Sequence, residues 1–189
     1  MDSENKPPQL KMKRPNLECL PKLEVPKGFL CRHYQEGDQQ IWNEVIDLSF
    51  ERERGHSDFD QEMAADKCFR PERVWFMVAN NGRGAATASC WTMEDPCEGR
   101  MHMVGTHPDF AGNKLGFWVS LVAMYQAVRE NRTYMTLLTD DWRTAALKTY
   151  FRLGFQPLVT HESHPERWRK ILEELNWPET FGDILNATK

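Results

Sequence analysis

The sequence predicts one mixed α/β domain: a mixed sheet, antiparallel in its first half, with helices covering it. Three observations carry that expectation. Short apolar runs bounded by turn residues, at Val74–Ala79, Gly84–Met93 and Met101–Thr106, read as consecutive antiparallel strands. After residue 107, runs with apolar residues at helical spacing alternate with further strands. The 189 residues, 40% apolar and 28% charged, suit a single soluble core. A chain of this length buries about 70% of its unfolded surface and needs no disulfide or metal staple.

Residues 1–27 carry Pro7, Pro8, Pro15, Pro21 and Pro26, so neither a helix nor a central strand is expected there. They read as an extended lead-in lying along the domain through Leu17, Leu20 and Leu23. The compact domain is expected over 28–189. Phe29–Tyr34 suits its first strand, and Trp42, Val45, Ile46 and Phe50 mark a helix. Ser57 followed by Asp60 resembles a capping box that opens a second helix to about Cys68. Val74–Ala79 ends at Asn80-Asn81-Gly82, and the next run returns as a hairpin rich in small residues: Ala85, Ala86, Ala88 and Ser89. Gly105 within Met101–Thr106 suggests a bulge or a close approach by a ligand or another backbone.

Leu115–Glu130 carries apolar residues on so wide a face that it reads as a helix buried on the sheet. Tyr134–Thr139 is a strand, and Arg143–Leu153 is a helix ended by Gly154 in the left-handed conformation. Phe155–Thr160 is the last strand. Ser163 and Glu166 form a second capping pattern before an amphipathic helix over 163–176.

Composition excludes several classes of function. With 24 Lys/Arg against 28 Asp/Glu the net charge is -4, which argues against a nucleic-acid partner. The basic excess is confined to residues 1–33, where it reads as a solvated tail. The apolar stretch Leu115–Tyr125 is too short to span a bilayer, so no membrane partner is expected. Five cysteines without a C-x-x-C pair, and no signal-peptide pattern, point to free thiols and a cytoplasmic location. No metal motif is present, so no metal is expected.

The segment Met103 through Gly116 joins a strand to the long helix through a polar, glycine-bearing loop. Free amides at a helix start attract anions, and glycine lets a phosphate approach them. The bland alternative is a simple helix cap by Asn113. A second segment runs from Thr139-Asp140-Asp141-Trp142-Arg143 to Tyr150 and Leu153-Gly154-Phe155. Together the two resemble the acetyl-coenzyme A loop and the Tyr-x-x-Leu-Gly-Phe ending of the GNAT family of N-acetyltransferases, over about residues 28–160.

The resemblance implies a GNAT-like fold with predominantly antiparallel N-terminal strands, a splayed parallel pair and covering helices. It implies acetyl-CoA as acyl donor, and a small-molecule or peptide amine as acceptor. On this resemblance the coenzyme would be held by Val104, Gly105, Thr106, Gly112, Asn113, Lys114, Leu115, Gly116, Phe117 and Arg143. An amide around Val104–Thr106 would donate to the oxyanion, and Tyr150 would protonate the departing thiolate.

The loop departs from the family pattern at Ala111, where Arg or Gln is usual, and at Lys114, where glycine is usual. Arg143 replaces the usual Asn. Candidates for the general base are His102, Asp140 and Asp141. His102 also reads as a structural histidine, and the aspartates also read as caps for the helix at Arg143. Glu51, Glu53 and Asp58 read as a solvated acidic loop. The departures leave a second reading open, a catalytically inactive coenzyme A-binding or regulatory module. A monomer and a homodimer both remain open.

Overall fold

The computed structural model describes residues 7–177 and Phe181. It divides into two compact units, Asn16–Met135 on one hand, and Met1–Pro15 with Thr136–Lys189 on the other.

In the unit Asn16–Met135, the strands β2 (Phe29–His33), β3 (Val74–Ala79), β4 (Gly84–Thr92) and β5 (Glu98–Thr106) pair in chain order, each antiparallel to the next. Period-2 burial is lost on β4, where Gly84 to Trp91 are all buried. The reason is that α1 (Gln39–Ser49) and α2 (Leu115–Arg129) both pack on this strand. That accounts for its run of small residues. The core beside α1 gathers Tyr34, Trp42, Ile46, Phe59, Phe76 and Trp91.

The second helix expected from Ser57 to Cys68 is a single wide turn, Asp60–Ala64. Its N-terminal contacts lie one residue later than expected. The Asp58 carboxylate accepts from the amides of Asp60 (3.0 Å) and Gln61 (3.2 Å), while Glu62 accepts from the Asp58 amide (3.2 Å). Ser57 instead anchors the preceding loop: its amide donates to the buried Asp47 carboxylate (2.8 Å).

In the other unit, β1 (Leu10–Arg14) lies between β6 (Tyr134–Thr139) and β7 (Gln156–Leu158), antiparallel to β7 with Met12 opposite Pro157. This corrects the expectation of a lead-in without a central strand. Pro7, Pro8 and Pro15 bracket the strand rather than interrupt it. Leu10 and Met12 are fully buried. The helices here are α3 (Thr144–Arg152) and α4 (His164–Glu174). Ser163 precedes α4 without a capping side-chain bond, and its hydroxyl pairs with His161 Nδ1 at 2.9 Å instead. The part of the expected 163–176 helix beyond Glu174 is turn.

Candidate coenzyme and transfer site

The strand β5 carries a bulge. Ser89 faces His102 and Thr87 faces Gly105, so β5 has one residue more than β4 between those pairs. Met103 takes a positive φ of 48° there. The extra residue flips the alternation, so Gly105 rather than Val104 faces α1. Gly105 was expected to mark either a bulge or a close approach. The bulge lies at Met103, and the close approach is by α1. A Cβ on Gly105 would lie 3.0 Å from Ile46 Cδ1 and 3.3 Å from Ser49 Cβ. The Thr106 amide donates to Ser49 Oγ (3.0 Å), so that amide is already engaged.

After β5 the chain makes one tight turn, Pro108–Phe110, then reaches Gly112 with φ +84° and open space around its Cβ position. Lys114 precedes α2 in the left-handed conformation (φ 55°, ψ 27°), and no side chain caps the helix. Asn113 is not the cap: its side-chain amide donates back to the Phe110 carbonyl at 3.1 Å. Phe117 and Trp118 donate to the Lys114 carbonyl at 3.0 and 3.2 Å. The amides of Leu115 and Gly116 precede the first helical bond, where a helix has no partner of its own to offer. Gly116 lets this turn sit close to β5, since a Cβ there would lie 3.1 Å from Thr106 Oγ1. Open glycine, uncapped amides and a nearby ammonium are the donor set a diphosphate needs, so these residues fit the coenzyme.

His102 is half-buried on β5, with its ring centroid 5.1 Å from that of Trp91. Burial pulls its pKa below the ordinary value. Asp66 and Glu62 oppose that shift and Arg100 adds to it.

In the other unit, Tyr150 lies buried on α3 with its ring centroid 6.0 Å from that of Phe155. Burial pushes its pKa up to about 12, against the pull of the Arg143 guanidinium. Gly154 follows with φ +81°, and the Phe155 amide returns to the Tyr150 carbonyl at 3.0 Å. A Cβ at Gly154 would meet the Arg14 guanidinium at 2.6 Å, so β1 supplies a second reason for glycine here. Arg143 Nε pairs with Asp140 (3.0 Å), and Arg167 Nε pairs with Asp141 (2.9 Å). No side-chain bond caps α3, so the two aspartates serve these arginines and are not its caps. The Asp141 carboxyl is held below its usual range chiefly by the hydrogen bond from Arg167, which counts against it as a base.

Nothing in the spacing pointed to Ser49, Asp66 or Trp91 as neighbours of the predicted residues. Among the described residues no group of three or more His, Cys, Asp or Glu side chains is placed to hold a metal ion. No helix among them is long and apolar enough to cross a membrane.

The sequence profile of the acetyltransferase (GNAT) family matches residues 40–155. The chain belongs to this family. Among curated GNAT relatives, the mycothiol acetyltransferase of Kytococcus sedentarius is 28% identical over 161 residues, 79% of this chain and 53% of that protein. The mycothiol acetyltransferase of Rhodococcus erythropolis is 29% identical, over 77% of this chain and 53% of its own length. The chain thus spans about half the length of the curated relatives it matches.

A GCN5-related N-acetyltransferase from Sphaerobacter thermophilus superposes with a TM-score of 0.59 at 20% identity, covering 80% of this chain and 49% of its own. A GNAT-family acetyltransferase from Staphylococcus aureus has the same TM-score at 14% identity, covering 71% of this chain and 88% of its own. These neighbours share the mixed α/β GNAT fold.

Proposed function

We propose that this chain moves an acetyl group from acetyl-CoA to a primary amine, and that the acceptor is a small molecule. The observation that carries the reading is the uncapped start of α2 behind Gly112 and Lys114. The curated relatives, named for mycothiol, support a small-molecule acceptor over a peptide.

Bound acetyl-CoA supplies an activated thioester. The amides of Leu115 and Gly116 hold the diphosphate oxygens, with Gly112, Asn113, Lys114 and Phe117 shaping the loop around them. The backbone at Val104–Gly105 donates to the carbonyl oxygen, since the Thr106 amide is held by Ser49. His102 takes the proton from the acceptor nitrogen, a C–N bond forms as the C–S bond breaks, and Tyr150 gives its proton to the leaving sulfur. Arg143 lies one step back: beside Asp140 it favours the ionised form of Tyr150 and so eases that proton's departure.

The test pairs acetyl-CoA-dependent thermal stabilisation with thiol release on a panel of small amines. Stabilisation together with release supports transfer. Stabilisation without release on any amine, peptides included, supports a binding module instead.

Because burial depresses the His102 pKa, its neutral form persists below the ordinary value of about 6.5. The acidic limb of kcat/KM is therefore expected below that pH, and His102→Gln is expected to remove it. A limb unchanged in the variant assigns the base elsewhere.

Lys114 gives a second expectation. A non-glycine residue in the left-handed region costs on the order of 1 kcal/mol. Lys114→Gly is expected to raise stability by up to that amount while weakening acetyl-CoA about 3–10-fold through the lost ammonium. Denaturant titration and calorimetry read the two effects separately, and an unchanged affinity removes Lys114 from the site.

A further inference from the structure

The loop between β5 and α2 is held from outside by the β3–β4 hairpin. Arg83, in that hairpin, reaches across with its guanidinium. One terminal nitrogen lies 2.7 Å from Asp109 Oδ2 and 3.2 Å from His107 Nε2. The guanidinium carbon lies 5.3 Å from the centre of the Phe110 ring. His107 is buried, accepts from the Asp109 amide through Nδ1 at 3.1 Å, and has Glu44 of α1 at 3.6 Å from Nε2. Phe110 packs edge-on against Phe29 of β2 at 5.8 Å. Three positions of the loop, His107, Asp109 and Phe110, therefore lie against one side chain that is 26 residues earlier than Asp109.

We infer that Arg83 is a positioning residue for the coenzyme loop, fixing the segment that ends at the Leu115 and Gly116 amides; this rests on the coenzyme-binding reading above. The pair is exposed, 43% at Arg83 and 58% at Asp109, so it contributes little to global stability. What it does is local. Gly112 permits many backbone conformations, and an unpinned loop would have to be ordered each time the diphosphate binds. A planar guanidinium can donate to a carboxylate and lie over a ring face at the same time, which an ammonium cannot match. Sequence spacing places Gly82-Arg83-Gly84 in a turn and gives no sign of this reach.

The experiment compares wild type, Arg83→Ala and Arg83→Lys by three readouts. Hydrogen exchange of the Asp109, Phe110 and Ala111 amides, which are hydrogen-bonded inside the loop, is expected to speed up without ligand in both variants, and more in the alanine one. The Kd and KM for acetyl-CoA are expected to rise about fivefold or more, with kcat held within about twofold. The melting temperature is expected to stay within about 3 °C. Unchanged exchange in the loop overturns the inference, and so does an unchanged Kd. A parallel fall in melting temperature and kcat also overturns it, because that marks a general structural role. If wild type itself fails to bind acetyl-CoA, the coenzyme reading falls, and loop exchange alone still decides whether Arg83 orders the segment.

Discussion

Tyr150→Phe is expected to lower kcat by about 10²–10⁴ while leaving the KM for acetyl-CoA nearly unchanged. The substitution removes one hydroxyl and keeps the ring that packs near Phe155. The fold should therefore persist, and only the hydroxyl proposed as proton donor is lost. Burial pushes the phenol up to about 12, so it stays protonated across the physiological range and is available to the leaving sulfur. The Arg143 guanidinium pulls the same pKa down, which eases proton departure as charge develops. Steady-state thiol release at saturating acetyl-CoA checks this. A loss of less than about threefold assigns protonation of the thiolate to another group.

Gly105→Val is expected to cost about 2–5 kcal/mol of stability, by overpacking together with a broken, partly buried hydrogen bond. A single Cβ would already approach Ile46 Cδ1 at 3.0 Å and Ser49 Cβ at 3.3 Å. The two further methyl groups of valine cannot be placed without moving α1. That movement draws Ser49 Oγ away from the Thr106 amide it now accepts at 3.0 Å. The amide then loses its partner at the end of the strand that leads into the loop before α2. Urea unfolding measures the loss, and Gly105→Ala should show a smaller one because the Ile46 tip can rotate. A valine variant within about 1 kcal/mol of wild type would show that α1 has room to shift.

Local pattern carried much of this fold. Val74–Ala79 and Tyr134–Thr139 are strands with the bounds expected from their apolar runs and flanking turns. The wide apolar face of α2 likewise gave that helix to within one residue. The failures are positions where a distant partner decides the structure. Leu10–Arg14 alternates Leu10 and Met12 with lysines, but it is short and sits among prolines, and its pairing with Leu158 lies far along the chain. Ser57 has the residue type of a helix cap, yet its hydroxyl accepts from Arg52 and its amide donates to Asp47, while the Asp58 carboxylate accepts from the first amides of the turn.

The candidate site divides in the same way. Gly112, Gly116 and Gly154 were legible because glycine alone adopts such turns or approaches without cost. Of the two readings open for Gly105, the close approach holds, while the bulge lies at Met103, where nothing in a methionine announces a positive φ. Ser49 and Arg83 were invisible because each contacts the loop region only after the chain has folded back on itself.

In the proposed function, the first turn of α2 binds the diphosphate of acetyl-CoA through its own amides. Amide resonances of the backbone, followed while acetyl-CoA is titrated, test it most directly. Saturable shifts are expected that are largest at Leu115 and Gly116, with Gly112 to Lys114 moving alongside. Saturable binding that shifts other amides and leaves Leu115 and Gly116 in place would contradict it, as would the absence of any shift at millimolar acetyl-CoA.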